Sequence, residues 1–355
     1  MGVTAPATAH SPTGAPTAPD TPWTVLHADS LHALTELPAA SIDAVVCDPP
    51  YGISFNGHDW DGRAIRQAAG ARSTRPLFPG EALETWTQTW ALECLRVLKP
   101  GGHVAAFGAA RTFHRLACGV EDAGLELRDV LLWLYGTGMP KSRRLSSGRG
   151  TALKPAYEPI LLARKPPDGP IQRNLDRHGT GALNIDACRV GRRWPANILL
   201  SHHPRCTSAT CDRRCPARAI DAAPSRERQA DSTDGPSRFF YCAKASRRER
   251  DAGCEQLPRH ALDLFPNARS AGRRPAAAAN LHPTVKPLAL MRWLIRLLTP
   301  EHGLVLDPFC GSGSTGCAAV LEQLRFLGID RETDYIPIAR ARLTYWTAQA
   351  ERSVG

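Results

Sequence analysis

Asp48-Pro49-Pro50-Tyr51 gathers a carboxylate, a free proline carbonyl and an aromatic ring at the end of the apolar run Asp43-Ala44-Val45-Val46-Cys47. The run reads as a short buried strand, and two prolines end it because neither donates a backbone hydrogen bond. Open α/β sheets bind ligands at the carboxyl ends of their strands. Two acceptors beside a π-face suit a planar base that carries an exocyclic amine. A second constellation, Leu304-Val305-Leu306-Asp307-Pro308-Phe309-Cys310-Gly311-Ser312-Gly313-Ser314-Thr315, predicts a strand, a glycine-rich turn and the start of a helix. Glycines there let the backbone approach a ligand closely. The Gly-Lys-Ser/Thr of a phosphate loop is absent, as is the third glycine of the dinucleotide fingerprint. Further on, Phe326-Leu327-Gly328-Ile329 reads as another strand ending at Asp330, placed to accept from ribose hydroxyls.

The elements that must position these groups alternate between strand and helix at both ends of the chain. Residues 1 to 20, rich in Ala, Pro and Thr, read as a disordered tail. A strand is expected over Thr24-Val25-Leu26-His27, a helix to about Leu37, and a long loop from Gly52 to Pro79 over the site. Glu81 to Leu98 is amphipathic, and Trp86 and Trp90, one turn apart, are expected in the core. A strand from His103 to Phe107, a helix near 112–123 and a strand near 125–134 follow. Alternation fades from Gly136 to about Asn280 and resumes with a helix over Lys286 to Leu298. The fold expected is α/β, a doubly wound and mostly parallel sheet whose two halves, residues 21–135 and 281–350, enclose an irregular basic insert at 136–280.

Composition sharpens this. The 355 residues carry a formal net charge of +10, and 27 lysines and arginines against 13 acidic residues fall between Lys141 and Asn280. Such a segment is the footprint of a polyanion-binding unit. No apolar stretch approaches the roughly 20 residues needed to span a bilayer, and no secretory signal pattern is evident, so a soluble cytoplasmic protein is expected. Eleven cysteines, an odd and scattered set, argue against a disulfide framework. His203, Cys206, Cys211 and Cys215 could form a structural zinc site, with Cys188, Cys242 and Cys254 as further contributors. Reduced, unliganded thiols are the plainer alternative.

Asp48-Pro49-Pro50-Tyr51 resembles the catalytic tetrapeptide of the amino-methyltransferases that methylate adenine N6 or cytosine N4 in DNA. The glycine-rich turn looks like their S-adenosylmethionine (AdoMet) loop. The order of the two, with a basic segment between, resembles the permuted β group, in which a target-recognition region separates catalytic and cofactor halves. Gly150 to Pro155, Gly181 to Asp186, Trp194 to Asn197, Phe239 to Lys244 and His282-Pro283-Thr284-Val285-Lys286-Pro287 extend the likeness.

The resemblance implies a transferase that flips its base out of double-stranded DNA and stacks it on Tyr51. Asp48 and the Pro49 carbonyl would accept the amine protons. Asp307, Phe309, Gly311, Ser312, Gly313 and Asp330 would line the AdoMet site, Asp29 would contact the cofactor's adenine, and His282, Thr284 and Lys286 would hold its methionine end. Phe55 and Trp133 are expected to pack rather than to form a second stacking wall. A leading aspartate favours adenine N6 over cytosine N4. RNA or protein glutamine methylation fits the basic insert poorly, and a DNA-binding protein without catalysis would not need these motifs. The target sequence, a homodimeric state and a cognate restriction endonuclease are not legible in the residues.

Overall fold

The structure, a computed structural model, describes residues 21–135, 148–189, 194–200, 244–261 and 277–354, with Leu145 and Arg213 between. The expected tail and the His203–Cys215 cluster lie outside them. No helix among the described residues is long and apolar enough to cross a membrane.

One sheet organises the chain. Its strands are β1 (Trp23–His27), β2 (Ile42–Cys47), β3 (Leu98–Phe107), β4 (Glu126–Leu134), β5 (Tyr157–Arg164) and β6 (Ile198–Leu200), then β9 (Leu304–Asp307) and β10 (Arg325–Asp330). The two-residue strands β7 (His260–Ala261) and β8 (Ala277–Ala278) pair separately. The spatial order is β1-β10-β9-β2-β3-β5-β4-β6. The five strands from β1 to β3 are parallel, β5 runs antiparallel to both β3 and β4, and β6 is parallel to β4. The mostly parallel α/β expectation holds, with one reversed strand.

Helices cover both faces. On one side lie α1 (Ser30–Thr35), α2 (Arg63–Gly70), α3 (Pro79–Val97) and α4 (Phe113–Asp122). On the other lie α7 (Leu288–Leu298), α8 (Ser314–Leu321) and α9 (Tyr335–Val354), while α5 (Ile171–His178) and α6 (Arg247–Asp251) come from the middle of the chain. Alternation along β2 feeds both layers: Ala44 and Val46 pack with α7, α8 and α9, Val45 and Cys47 with α1, α3 and α4. A strand buried on both faces must be apolar throughout, which is why the run 43–47 has no polar alternation. Its one charge, Asp43, receives Lys99 at 2.6 Å and the Leu304 amide at 2.7 Å, and so ties β2 to both neighbours.

Three stretches depart from expectation. The loop over 52–79 contains α2, whose Ile65 and Ala69, four residues apart, are buried. β3 begins at Leu98, so Lys99 to Gly102, expected as a helix-ending turn, already belong to the strand; a register shift against β2 absorbs the glycines. The stretch expected to be irregular from Gly136 supplies β5, hydrogen-bonded on both edges within the sheet. Its run Pro159 to Ala163 is short and flanked by charge, which weakens the periodicity signal. Trp86 and Trp90 are buried as expected.

Candidate active site at the switch point of the sheet

The chain leaves β2 toward β3 on one side, whereas β9 leads to β10 on the other. The β2–β9 boundary is therefore where strand order reverses, and a crevice opens there outside the carboxyl ends. Pairing of Ala44 with Val305 and Val45 with Leu306 sets the two tips side by side, Asp48 at one and Asp307 at the other. They line one cavity of about 1300 Å³, shared with Asp29, Gly311, Asp330, His282, Lys286 and Glu158. Pockets for a single small ligand run to roughly 1,000 Å³, so this one can hold two.

At the β2 end the geometry is a charged cluster. Asp48 accepts from the Tyr51 hydroxyl at 2.6 Å and pairs with the Lys286 ammonium at 2.8 Å. Lys286 reaches Glu158 of β5 at 3.1 Å, and its ammonium lies 4.7 Å from the centre of the Phe107 ring. Burial pushes the Asp48 carboxyl above its ordinary range; Lys286 opposes this and Glu158 adds to it. Burial disfavours the Lys286 charge, but Asp48 and Glu158 together hold its pKa above the usual value. Lys286 therefore stays an ammonium. Expected to hold the methionine end of the cofactor, it lines the cavity and pairs with the two carboxylates.

The loop after Tyr51 is held from within. Asp61, 1 % exposed, accepts from the amides of Tyr51 at 2.5 Å, Gly52 at 2.8 Å, Ile53 at 3.3 Å and Phe55 at 2.7 Å. The Thr112 hydroxyl adds a bond to the Tyr51 carbonyl at 2.8 Å. Burial raises the Asp61 pKa and the four amides oppose it. Sequence reasoning missed Asp61; an aspartate ten residues after a strand-ending tetrapeptide was the only signal. Asp61→Ala would leave four amides without their acceptor, each costing on the order of 1–3 kcal/mol if it stayed buried. The loop would rearrange instead, and turnover should fall at least about tenfold with cofactor affinity little changed. Titration calorimetry beside a steady-state assay separates the two effects.

At the β9 end the glycine loop turns on two left-handed residues, Gly311 with φ 52° and Gly313 with φ 75°. The Gly311 amide donates to Asp330 at 2.6 Å, and a Cβ on Gly311 would stand 2.4 Å from His282 Nε2. Only glycine lets the loop pass this close to His282. Asp307, 2 % exposed, accepts from Thr315 at 2.5 Å and from the Phe309 amide at 3.0 Å. Burial nevertheless raises its pKa to about 7, and Asp48 and Asp330 push the same way. Phe309 packs between Trp86 and Trp90, 5.3 and 5.5 Å between ring centres, and so anchors the loop on α3. Asp29 caps α1 through the Leu31 amide at 2.9 Å and remains exposed at the cavity rim. Thr284 donates from its amide to His282 Nδ1 at 3.4 Å.

Behind this loop the surroundings are cationic. Arg342 is fully buried and donates to the Ser312 carbonyl at 2.6 Å and to the Ser312 and Ser314 hydroxyls, each at 3.1 Å. Its Nε and Nη2 find no acceptor among the described residues. Arg250 of α6 donates to the His282 carbonyl at 2.9 Å, and Glu249 caps α7 at the Leu288 amide at 2.6 Å. Burial, with Arg342, Lys286 and Arg250 nearby, lowers the His282 pKa to about 3. Carboxylates at one side and the Arg250 guanidinium at the other fit a ligand with ribose hydroxyls, a cationic centre and a carboxylate. AdoMet has all three, and the residues present fit it.

Trp133 is 3 % exposed and Tyr135 7 %, packed edge to face with 5.3 Å between centres. Lys244 Nζ stands 3.6 Å from the Tyr135 ring centre. Trp133 thus packs as expected while also lining the cavity, and Phe55 lines it from the Asp61 loop. Cys188 and Cys254 are buried free thiols in core clusters. Among the described residues, no group of three His, Cys, Asp or Glu side chains could hold a metal.

An AdoMet-type sheet with this tetrapeptide at its switch point defines the class of protein, and comparison with known sequences agrees. Residues 42–341 match the N6/N4 DNA methylase family, and the chain belongs to it. It is 24 % identical to the type II methyltransferase M.HindIII of Haemophilus influenzae, covering 90 % of this chain and 94 % of that one. It is 22 % identical to the type II methyltransferase M2.LlaDCHI of Lactococcus lactis subsp. cremoris, covering 90 % and 88 %. The fold is similar to that of the cytosine-N4-specific PvuII DNA methyltransferase, with a TM-score of 0.54 at 16 % identity over 93 % of this chain and 92 % of that one.

Proposed function

We propose that the chain is a site-specific methyltransferase that transfers the methyl group of AdoMet to the N6 amine of an adenine flipped out of duplex DNA. The observation that carries this is Asp48, held at the β2 tip beside the glycine loop by Tyr51 and Lys286. When bound, AdoMet supplies an electrophilic methyl group on a sulfonium.

An exocyclic amine is a weak nucleophile because its lone pair is delocalised into the ring. Asp48 and the Pro49 carbonyl accept hydrogen bonds from its two N–H groups, which draws the nitrogen toward tetrahedral geometry and localises the pair. Positive charge then develops on nitrogen beside the Asp48 carboxylate, an electrostatic stabilisation at a preorganised group. Tyr51, whose ring lines the same cavity, offers a stacking face worth about 1–3 kcal/mol. The Asp61 loop fixes that ring, and with it the alignment that supplies much of the barrier reduction. Asp307 and Asp330, which line the cavity, would receive the cofactor's ammonium and ribose hydroxyls, and Asp29 its adenine. His282, Thr284 and Arg250, on the same lining, would hold its carboxylate end. The basic middle segment supplies phosphate contacts.

Adenine rests on the aspartate that leads the tetrapeptide; cytosine N4 is the alternative, since both amines offer two protons and a neighbouring ring acceptor. Incubation of duplex DNA with the protein and methyl-tritiated AdoMet tests the reading. Label should enter the DNA, and no transfer to any duplex of mixed sequence would refute it.

A further inference from the structure

Glu158 has no part in the function just described, yet three side-chain donors converge on it in the cavity. It stands on β5, the strand inserted antiparallel between β3 and β4. Its Oε2 lies 3.1 Å from the Lys286 ammonium and 3.5 Å from the Tyr51 hydroxyl, and the Tyr135 hydroxyl also hydrogen-bonds to it. Its side chain is only 20 % exposed. A half-buried acid with three donors is held in one place.

The charge count explains what this accomplishes. Asp48, Glu158 and Lys286 bring two negative charges and one positive into a site largely shut from water. Were Lys286 paired to Asp48 alone, its ammonium would neutralise the carboxylate that must receive the amine. Shared between two carboxylates, it satisfies both in part and leaves one net negative charge, which the ammonium developing on the substrate nitrogen completes. We propose that Glu158 is a positioning residue for amine methylation, which draws the Lys286 ammonium partly away from Asp48 and keeps Asp48 available as the acceptor of the target amine. This rests on the methyltransferase reading given above.

The groups facing this pair are Cys47 and Tyr51 beside Asp48, Tyr135 after β4, Lys244 before α6, Lys286 before α7 and Asp307 at the β9 tip. Cys47, Tyr51 and Tyr135 are all pushed upward by burial and stay neutral in the working range. Lys244 and Lys286 are the cations of this set, and Asp307 is its further carboxylate. Removing the Glu158 charge therefore leaves Lys286 to act on Asp48 undivided and lowers the Asp48 pKa.

The experiment compares the full-length protein with Glu158→Gln, which keeps the shape and an acceptor for Lys286. For the wild type, kcat for DNA methylation is expected to fall on the acid side as Asp48 takes up a proton. In E158Q that limb should move to lower pH by about one unit, the plateau should drop roughly ten- to a hundredfold, and KM for DNA should stay within about twofold. In parallel, carbon-13 NMR of the aspartate carboxyls in the cofactor-free protein should show the Asp48 resonance titrating at lower pH in E158Q. A limb and an Asp48 titration that stay in place, or move upward, would overturn the proposal. A wild type without methyl transfer would instead refute the functional reading, and the NMR titration would still judge the Glu158–Lys286–Asp48 coupling. If E158Q does not fold, Glu158→Asp, one methylene shorter, should shift both readouts in the same direction by a smaller amount, and no shift there is equally fatal.

Discussion

Asp48→Ala should abolish methyl transfer, with a loss of at least about a thousandfold in kcat, while AdoMet binding measured by calorimetry stays within a few-fold of wild type. In the proposed reaction the carboxylate accepts a hydrogen bond from the amine and stabilises its growing charge. Among the described residues the neighbouring carboxylates are occupied: Glu158 is engaged by Lys286 and two tyrosines, and Asp307 is bound to Thr315 and the Phe309 amide. The fold should survive, because Lys286 keeps its contact with Glu158 at 3.1 Å and is not left as an unpaired buried charge. The same residue sets a pH dependence. Burial raises its pKa above the usual carboxylate value, and protonation removes the acceptor. Turnover should therefore decline on the acid side at a pH above the ordinary aspartate value of about 3.9. Retained turnover in D48A would remove the tetrapeptide from the chemistry.

Asp307→Asn should stabilise the cofactor-free protein at pH 8 and weaken its hold on AdoMet. In the folded chain the Asp307 pKa is raised to about 7, against about 3.9 when unfolded. A raised pKa means that the protonated form suits the fold. Its contribution is complete below about pH 4 and is lost as pH rises through about 7, which amounts to about 4 kcal/mol between the two limits. Asparagine can keep both hydrogen bonds, accepting from the Phe309 amide and donating to Thr315, without the buried charge. The melting temperature of D307N should thus exceed that of wild type at pH 8, and the gap should close as pH approaches about 4. A variant less stable than wild type at pH 8 would contradict the assignment of burial as the dominant cause. The loss of AdoMet affinity, which follows from the proposed contact of the ionised carboxylate with the cofactor's ammonium, is read by calorimetry in the same samples.

Both motifs stood in the sequence because each is local: an apolar strand ended by prolines, and an apolar strand ended by glycines. Their meeting needed only the rule that strand tips line the crevice, and the β2–β9 pairing realises it. The second carboxylate was not legible for the opposite reason. Glu158 meets Lys286 across 128 positions of chain, through a reversed strand whose short apolar run sits in the basic middle segment. Lys286 was read with its neighbours His282 and Thr284; all three line the cavity, and from two residues before α7 the Lys286 side chain reaches across to Asp48 and Glu158. Asp61 was hidden inside a stretch without periodicity, since its work is done on backbone amides and leaves no pattern in side chains. The zinc expectation falls on His203, Cys206, Cys211 and Cys215, outside the described residues.

The central claim is that the chain methylates the N6 amine of adenine in duplex DNA. Purified protein should be incubated with unmethylated duplex DNA of mixed sequence and AdoMet, and the DNA digested to nucleosides for mass spectrometry. The account predicts N6-methyladenine, absent from the D48A reaction. N4-methylcytosine in its place would contradict the reading of the leading aspartate, and DNA with no methylated base would contradict the account as a whole.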